Sequence, residues 1–284
     1  SFEQLKMLYA GNHLTLRENT FEKNLNLLTR DGSYNLMAAI LADINSYSIK
    51  VAVFRGTDKT NLIKRNEYGY KCMLVAVKQV LDYMEALNDT IVDVGGGLRK
   101  ESRLFDFPCF REAWLNACLH NRWSRQTPPA VYMFEDRIEA ISVGGLPEGL
   151  TLEEFYEGKS KPVNLELQQI MVQLDYIEQT GHGVPLIVSR YGKEVFDITE
   201  NFVTVTIPLN KDKVMERDLQ KKKGVVLNEC DKKIISGMKE NSNITVHELS
   251  GQIGVGVTTI TKHIRILREK GIIKRIGSKK NGQW

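Results

Sequence analysis

The spacing of apolar residues changes along the chain between the period of a helix and that of a strand. Apolar positions recur at helical spacing around residues 5–8, 21–28 and 70–87, whereas residues 50–54 alternate as a strand does. We therefore expect the first 107 residues to form a mixed α/β region that continues into the segment that follows.

A hairpin is predicted near the end of this region. The β-rich segments 90–94 and 98–105 lie on either side of three consecutive glycines, Gly95, Gly96 and Gly97. Glycine adopts the positive φ that a tight turn requires, so a turn is a better interpretation of these glycines than a phosphate-binding loop.

Residues 108–208 show the clearest succession of elements. Pro108 is well placed to begin a helix that runs to His120. The pattern then predicts strands at 130–134 and 137–141, helices at 151–157 and 163–174, a further helix that follows Gly183 and runs to about 191, and strands at 195–198 and 202–208. Glycine loops follow the second strand, at Gly144 and Gly145, and precede the last helix, at Gly181 and Gly183. We expect residues 209–227 to form a linker and residues 228–284 to form a second domain.

The last 57 residues have the pattern of a winged helix-turn-helix. Two short amphipathic helices are followed by Gly254 and Gly256, which permit a sharp turn, and by a third helix over residues 257–270. Residues 272–276 and 283–284 then flank a Gly-Ser-Lys-Lys-Asn-Gly turn, which is the expected wing.

The third helix has the composition of a recognition helix. Val257, Ile260 and Ile264 fall on one side. The opposite side and the tip of the wing carry the candidate contacts to double-stranded DNA: Thr258, Thr259, Thr261, Lys262, Arg265, Lys279 and Lys280. The alternative is a module that binds another protein.

Charge separates the two ends of the chain more strongly than the net charge of +4 indicates. Residues 211–284 contain 17 Lys and Arg against 8 Asp and Glu, a net charge of +9, which leaves −5 for residues 1–210. A basic tail on an acidic body is typical of a nucleic-acid-binding appendage. The four scattered cysteines form no C-x-x-C pair, and no apolar run is long enough to cross a membrane, so we expect a cytoplasmic protein.

Three polar residues lie on one face of the helix that Pro108 begins. Glu112, Asn116 and His120 are spaced by four residues each, so they lie on successive turns. Glu112 could act as a general base, while the amide oxygen of Asn116 could ligate Mg²⁺ beside bound phosphates. The alternative is a polar surface stripe on an amphipathic helix.

Several motifs, occurring in a familiar order, resemble a known family. They are Arg-Glu-Ala-x-x-Asn-Ala-x-x-His from Arg111, Asp-Arg-Ile-Glu from Asp136, the glycine loop from Ser142, and Glu-x-x-Gly-x-Gly from Glu178. Together they resemble bacterial Schlafen AlbA-type transcriptional regulators. These are similar to the divergent GHKL-type ATPase domain, also known as the RecG-related helicase C-terminal region, and many end in a winged helix.

This resemblance implies an α/β fold of mixed sheet and helices, followed by the winged helix, and a site for ATP and Mg²⁺. Glu112 would be the general base and Asn116 the Mg²⁺ ligand, with His120 in the nucleotide site. Gly144 and Gly145 would lie near the adenine, and Gly181 and Gly183 near the phosphates.

The chain departs from the family pattern at two places. The aspartate expected to bind the adenine amino group is replaced by Ser142 or Val143, and the Arg-Asp-Tyr usual after the histidine is replaced by Asn121, Arg122 and Trp123. The AlbA-like domain with which such proteins usually begin is not found in this sequence, so we expect a fragment of a longer protein.

We therefore expect a homodimeric, DNA-binding transcriptional regulator that responds to ATP. The alternatives are a Mg²⁺-dependent ATPase that remodels DNA or its complexes, and a scaffold whose two modules bind proteins. A helicase motor is disfavoured because the chain contains no G-x-x-x-x-G-K-[ST] phosphate loop.

Overall fold

The computed structural model describes residues 1–88, 90–93, 100–178, 180–210, 227–269 and 272–274. Contacts divide the chain into two compact units, Ser1–Lys211 and Asp212–Trp284. Three sequence predictions lie wholly or largely outside the described residues: the turn at Gly95 to Gly97, the linker, and the wing with Lys279 and Lys280.

The described part of the first unit contains eight helices and eight strands. The helices are α1 (Glu3–Gly11), α2 (Phe21–Asn24), α3 (Leu36–Leu41), α4 (Met73–Leu87), α5 (Phe107–His120), α6 (Leu152–Tyr156), α7 (Leu165–Gln173) and α8 (Gly183–Tyr191). The strands are β1 (Ser48–Arg55), β2 (Asn61–Gly69), β3 (Thr90–Asp93), β4 (Lys100–Arg103), β5 (Ala130–Met133), β6 (Arg137–Val143), β7 (Phe196–Ile198) and β8 (Phe202–Pro208).

Six of the strands form one mixed sheet in the order β2-β1-β5-β6-β8-β7, and β3 pairs with β4 as a separate antiparallel hairpin. In the large sheet only β1 and β5 are parallel. A parallel pair requires a long crossover, and α4, the β3–β4 hairpin and α5 provide it. The predicted fold class, a mixed α/β domain followed by a winged helix, is confirmed.

Helix α5 is the central element of the first unit. Asp106 caps it by accepting a hydrogen bond from the Cys109 N–H at 3.1 Å. The helix packs against α4, α8, β6 and β8. Trp114 is fully buried, and its indole N–H donates to the Val77 carbonyl of α4 at 3.3 Å. The position of α5 is therefore determined on both sides, by the sheet and by helices.

The opposite face of the sheet carries a second, smaller apolar cluster. Ala52, Phe54 and Phe134 are buried there beside Tyr132. The rings of Phe54 and Phe134 stack with centroids 5.3 Å apart. Neighbouring residues of β1 thus point to opposite faces, as the alternation of a strand requires.

The structure contains two elements that the sequence pattern did not predict, and it shortens a third. Strand β2 is exposed along most of its length, so no apolar alternation marks it. The short helix α3 is also new. The helical pattern predicted over 21–28 is realised only as α2, because the chain turns at Asn26, whose φ is 53°.

The described part of the second unit consists of helices α9 (Glu229–Glu240), α10 (Val246–Ile253) and α11 (Val257–Glu269). Its core includes Ile234, Leu249 and Ile260, one from each helix. Helices α9 and α10 both begin with a capping box, at Asn228 and at Thr245.

Asp231 connects two of these helices. Its carboxylate completes the capping box of α9, accepting from the Asn228 N–H at 3.2 Å, and contacts the His263 ring of α11 at 2.7 Å. Only 11% of the Asp231 side chain is exposed, so the contact is shielded from solvent.

We predict that Asp231→Ala destabilises the second unit by about 1–3 kcal/mol, because it removes a cap and leaves two partly buried donors, the Asn228 N–H and the His263 ring, without this partner. Calorimetry of the whole chain should show a lower Tm for the transition of this unit only. Glu229→Ala, which removes an exposed carboxylate from the same helical turn, is the matched control. Equal effects of the two substitutions would contradict the prediction.

Candidate functional site

Helix α5 presents Glu112, Asn116 and His120 to one cavity of about 460 Å³. Trp114, Leu115 and Cys118, which lie between them, are buried and do not line the cavity, whereas Ala113 and Ala117 line it as well. The side of α5 that carries the three polar residues therefore faces the cavity together with these small alanines, and the opposite side packs into the core.

The N-terminus of α8 lies directly against this polar side. A Cβ placed on Gly183 would be 2.4 Å from the Glu112 Oε2 atom and 3.3 Å from the Asn116 Nδ2 atom, so a side chain at this position would displace the Glu112 carboxylate from its present place. The first turn of a helix leaves N–H groups without an intrahelical partner and carries partial positive charge. An anionic group in the cavity can therefore receive hydrogen bonds from α8.

The backbone segments at Gly158 and Gly181 pass each other in van der Waals contact beside α8. Their φ angles are +85° and +69°, and a Cβ on either would collide with the carbonyl oxygen of the other. This crossing holds the segment that follows Gly158 in the cavity wall, where Lys159 and Lys161 lie. The Lys159 ammonium is paired with the Glu157 and Glu154 carboxylates, at 3.1 and 3.7 Å. The ammonium of Lys161 donates to the Glu148 carbonyl at 2.7 Å.

The glycine loop after β6 forms another part of the wall. Gly144 has a φ of +101° and lies beside the Arg122 side chain, while a Cβ on Gly145 would be 2.5 Å from the Thr199 carbonyl oxygen. Gly144 is thus required by its backbone conformation and Gly145 by its close approach to another backbone segment, and neither requirement involves a ligand.

Two buried asparagines hold this loop and the end of α5 together. Asn121 accepts a hydrogen bond from the Val143 N–H at 2.9 Å and donates to the Thr127 carbonyl at 3.0 Å. Asn164 donates to the carbonyls of Leu119 and Asn121, at 2.6 and 2.9 Å. Asn121, where the chain departs from the family pattern, thus has a structural role here.

All seven residues of the first unit that the sequence identified as site candidates line this one cavity. They are Glu112, Asn116, His120, Gly144, Gly145, Gly181 and Gly183. Sequence reasoning did not identify Lys159 and Lys161, although the Gly-Lys-Ser-Lys string at 158–161 was a visible signal. Nor did it identify Phe155 and Phe196, whose rings contact each other with centroids 5.3 Å apart.

The electrostatics of the α5 face are set by two features. Arg111 lies 3.3 Å from the Glu112 carboxylate and donates to the Tyr176 carbonyl at 2.7 Å, so it is held beside a side chain that is only 17% exposed. Burial lowers the pKa of His120 to about 4, which keeps its ring neutral at pH 7. His120 can therefore contact a ligand as a neutral hydrogen-bonding group.

In the second unit the side chains predicted to contact DNA lie at the surface. Thr258, Thr259, Thr261, Lys262 and Arg265 are all exposed on α11. The opposite face of the helix is buried through Ile260, Ile264 and Leu267. The Thr261 hydroxyl donates to the Val257 carbonyl at 2.8 Å, which leaves its oxygen able to accept.

Each unit contains a segment that matches a known protein family. Residues 126–207 match the family described as "Putative ATP-dependent DNA helicase recG C-terminal", and residues 227–274 match the one described as "Winged helix-turn-helix DNA-binding". No curated protein matches the chain.

A crystal structure, that of the DIP2311 protein from Corynebacterium diphtheriae, is similar with a TM-score of 0.57 and 16% identity. The match covers 99% of this chain and 59% of that one, so the chain spans less than two thirds of its structural relative. At this identity the likeness concerns the fold alone.

The chain therefore combines an ATPase-like domain of the RecG C-terminal type with a winged helix-turn-helix, the kind of module that binds DNA. None of the helices in the described parts of the chain has the length and apolar character needed to cross a membrane.

The shifted pKa of His120 makes stability depend on pH. The pKa is about 4 in the folded state and about 6.5 in an unfolded chain, so the unfolded state binds more protons between these values. Stability is therefore lost as the pH falls from 6.5 towards 4. We predict that His120→Gln removes about 2 kcal/mol of the loss between pH 7 and pH 4.5.

Urea denaturation of the whole chain at these two pH values measures the effect. His13→Gln, at an exposed position, is the control and should retain the acid sensitivity of the parent chain. If His120→Gln retains it as well, His120 is not the group responsible.

Proposed function

We propose that this chain is a DNA-binding transcriptional regulator of the Schlafen AlbA type whose first unit binds ATP with Mg²⁺. The observation that carries the nucleotide part is the cavity in which Glu112, Asn116 and the two glycine loops meet at the N-terminus of α8. The exposed polar face of α11 supports the DNA part.

The residues present suit a magnesium nucleotide. In the described residues no group of three or more His, Cys, Asp and Glu side chains could hold a metal ion. Mg²⁺ is commonly held by one or two protein oxygens together with phosphate oxygens and water, and the Asn116 amide oxygen fits that role. The N-terminus of α8, with Lys159 and Lys161, would bind the phosphates, and His120 would contact the nucleotide as a neutral ring.

The same arrangement favours a second candidate, a Mg²⁺-dependent ATPase that remodels DNA or its complexes. The Glu112 carboxylate lies mostly buried at Gly183. From there it can accept a proton from a water that attacks the terminal phosphorus, as the bond from that phosphorus to the bridging oxygen breaks and ADP leaves. Bound Mg²⁺ would neutralise charge that develops on the phosphate oxygens.

We predict that Asn116→Ala weakens binding of Mg·ATP at least tenfold, because a metal ligand is lost, whereas Glu112→Gln keeps affinity within about threefold and lowers turnover 10²- to 10⁴-fold. Calorimetry and phosphate release on the whole chain measure the two quantities. Glu153→Gln, exposed on α6, is the control.

The outcomes separate the candidates. Binding without turnover in the parent chain supports a regulator that uses ATP as a ligand, and turnover that requires Glu112 supports the ATPase. If the parent chain binds no nucleotide, the ATP site is refuted.

The second unit would read DNA through α11. Its N-terminal threonines can reach base edges in the major groove, while Lys262 and Arg265 can bind bases or phosphates. The basic tail, with a net charge of +9, favours the DNA backbone. Two copies of the chain on one duplex would present two recognition helices to successive half-sites, so we propose a cytoplasmic homodimer.

We predict that Lys262→Ala combined with Arg265→Ala lowers the affinity for duplex DNA about 10- to 100-fold and reduces the slope of log K against log salt by up to about two units. Fluorescence anisotropy at several salt concentrations measures both. Lys23→Ala, exposed in the first unit, should change neither. A parent chain that shows no affinity for DNA at low salt would favour the protein-binding scaffold instead.

A further inference from the structure

Ser142 places a hydroxyl in the wall of the cavity. The residue is only 4% exposed and lines the cavity near the end of β6. Among the described residues, none makes a hydrogen bond to its side chain. The hydroxyl is open to the cavity, so a ligand there can form a hydrogen bond with it in place of water.

The register of the sheet determines what surrounds this hydroxyl. Ser142 pairs with Val203 of β8, and Ala140 pairs with Val205, so these side chains share the face that lines the cavity. Phe196 of β7 pairs with Val205 and extends the same wall. Ser142 is therefore the one polar side chain that these three strands contribute to the cavity wall within the described residues.

The two ends of the cavity thus differ in chemistry. The end at α8 has helix N–H groups and lysines, which suit phosphate, whereas the strand wall is apolar apart from one hydroxyl, which suits a flat aromatic base with one polar edge. Val143 does not line the cavity. Of the two residues that could replace the expected aspartate, Ser142 is therefore the one that faces a ligand.

We propose, on the basis of the nucleotide site argued above, that Ser142 binds the 6-position of a purine and that the site accepts 6-amino and 6-oxo purine nucleotides with similar affinity. A carboxylate only accepts hydrogen bonds, so it selects a 6-amino group and repels a 6-oxo group. A hydroxyl can accept from the amino group or donate to the oxo group. Because a hydroxyl is uncharged, it also does not repel the 6-oxo group as a carboxylate would.

The test is calorimetric titration of the whole chain with Mg²⁺ and either ATP or ITP, which differ at the purine 6-position and its adjacent ring nitrogen. We expect the parent chain to bind the two within about threefold of each other. Ser142→Ala should weaken both about 3- to 10-fold, the effect of one hydrogen bond. Ser142→Asp should favour ATP over ITP by at least tenfold.

Thr204→Val provides a matched control, because Thr204 pairs with Ile141 on the neighbouring strand and does not line the cavity. It should bind both nucleotides as the parent chain does. Ser142→Ala removes a single oxygen atom from a buried position, so it tests the role of the hydroxyl even if Ser142→Asp does not fold.

Two results overturn the inference alone: a parent chain that prefers ATP over ITP at least tenfold, or a Ser142→Ala chain that binds both as well as the parent does. A parent chain that binds neither nucleotide overturns the proposed ATP site and this inference with it. The failure of one claim is thus distinguishable from the failure of both.

Discussion

The contact between Gly183 and the Glu112 and Asn116 side chains is the constraint on which the rest of the candidate site depends. Because Gly183 has no Cβ, the N-terminus of α8 and the Glu112 carboxylate lie side by side, in an arrangement that a side chain at position 183 would change. This approach places helix N–H groups, a carboxylate and an amide around one cavity. The close approach of Gly158 and Gly181 also depends on the absence of side chains, and it positions the segment that contains Lys159 and Lys161.

Buried polar side chains hold the backbone segments around the cavity in place. Asn121 and Asn164 satisfy backbone groups at the end of α5 and at the glycine loop, where no regular ladder or helix does so. A buried backbone group that is left unpaired is costly, so these two asparagines limit how far the cavity wall can move. Asn121, the first residue after His120, thus stabilises the frame around the cavity.

The distribution of charge gives the two units different tasks. The second unit exposes threonines, a lysine and an arginine on one helix and buries the other side of that helix among aliphatic residues. The first unit is acidic overall but concentrates lysines and helix N–H groups at its cavity. The proposed nucleotide site thus lies in an acidic unit and the proposed DNA-binding surface in a basic one, as expected if nucleotide binding regulates DNA binding.

Sequence alone determined the features that follow from local periodicity and residue type. The apolar spacing predicted α5, α8 and all three helices of the second unit, because each buries one face. The four-residue spacing in α5 was sufficient to group Glu112, Asn116 and His120. Strand β2 escaped prediction because its pairing is made by the backbone and leaves few apolar side chains to bury.

Only the tertiary structure decided which distant segments share the cavity. Lys159 and Ser142 are far apart in sequence from Glu112, and no periodicity relates them. The register of β6 with β8 places Ser142, and not Val143, on the cavity face, since one residue along a strand reverses the direction of the side chain. The local sequence thus determines the individual elements, whereas the pairing of β6 with β8 and the close approach of the Gly158 and Gly181 backbones determine which residues share the cavity.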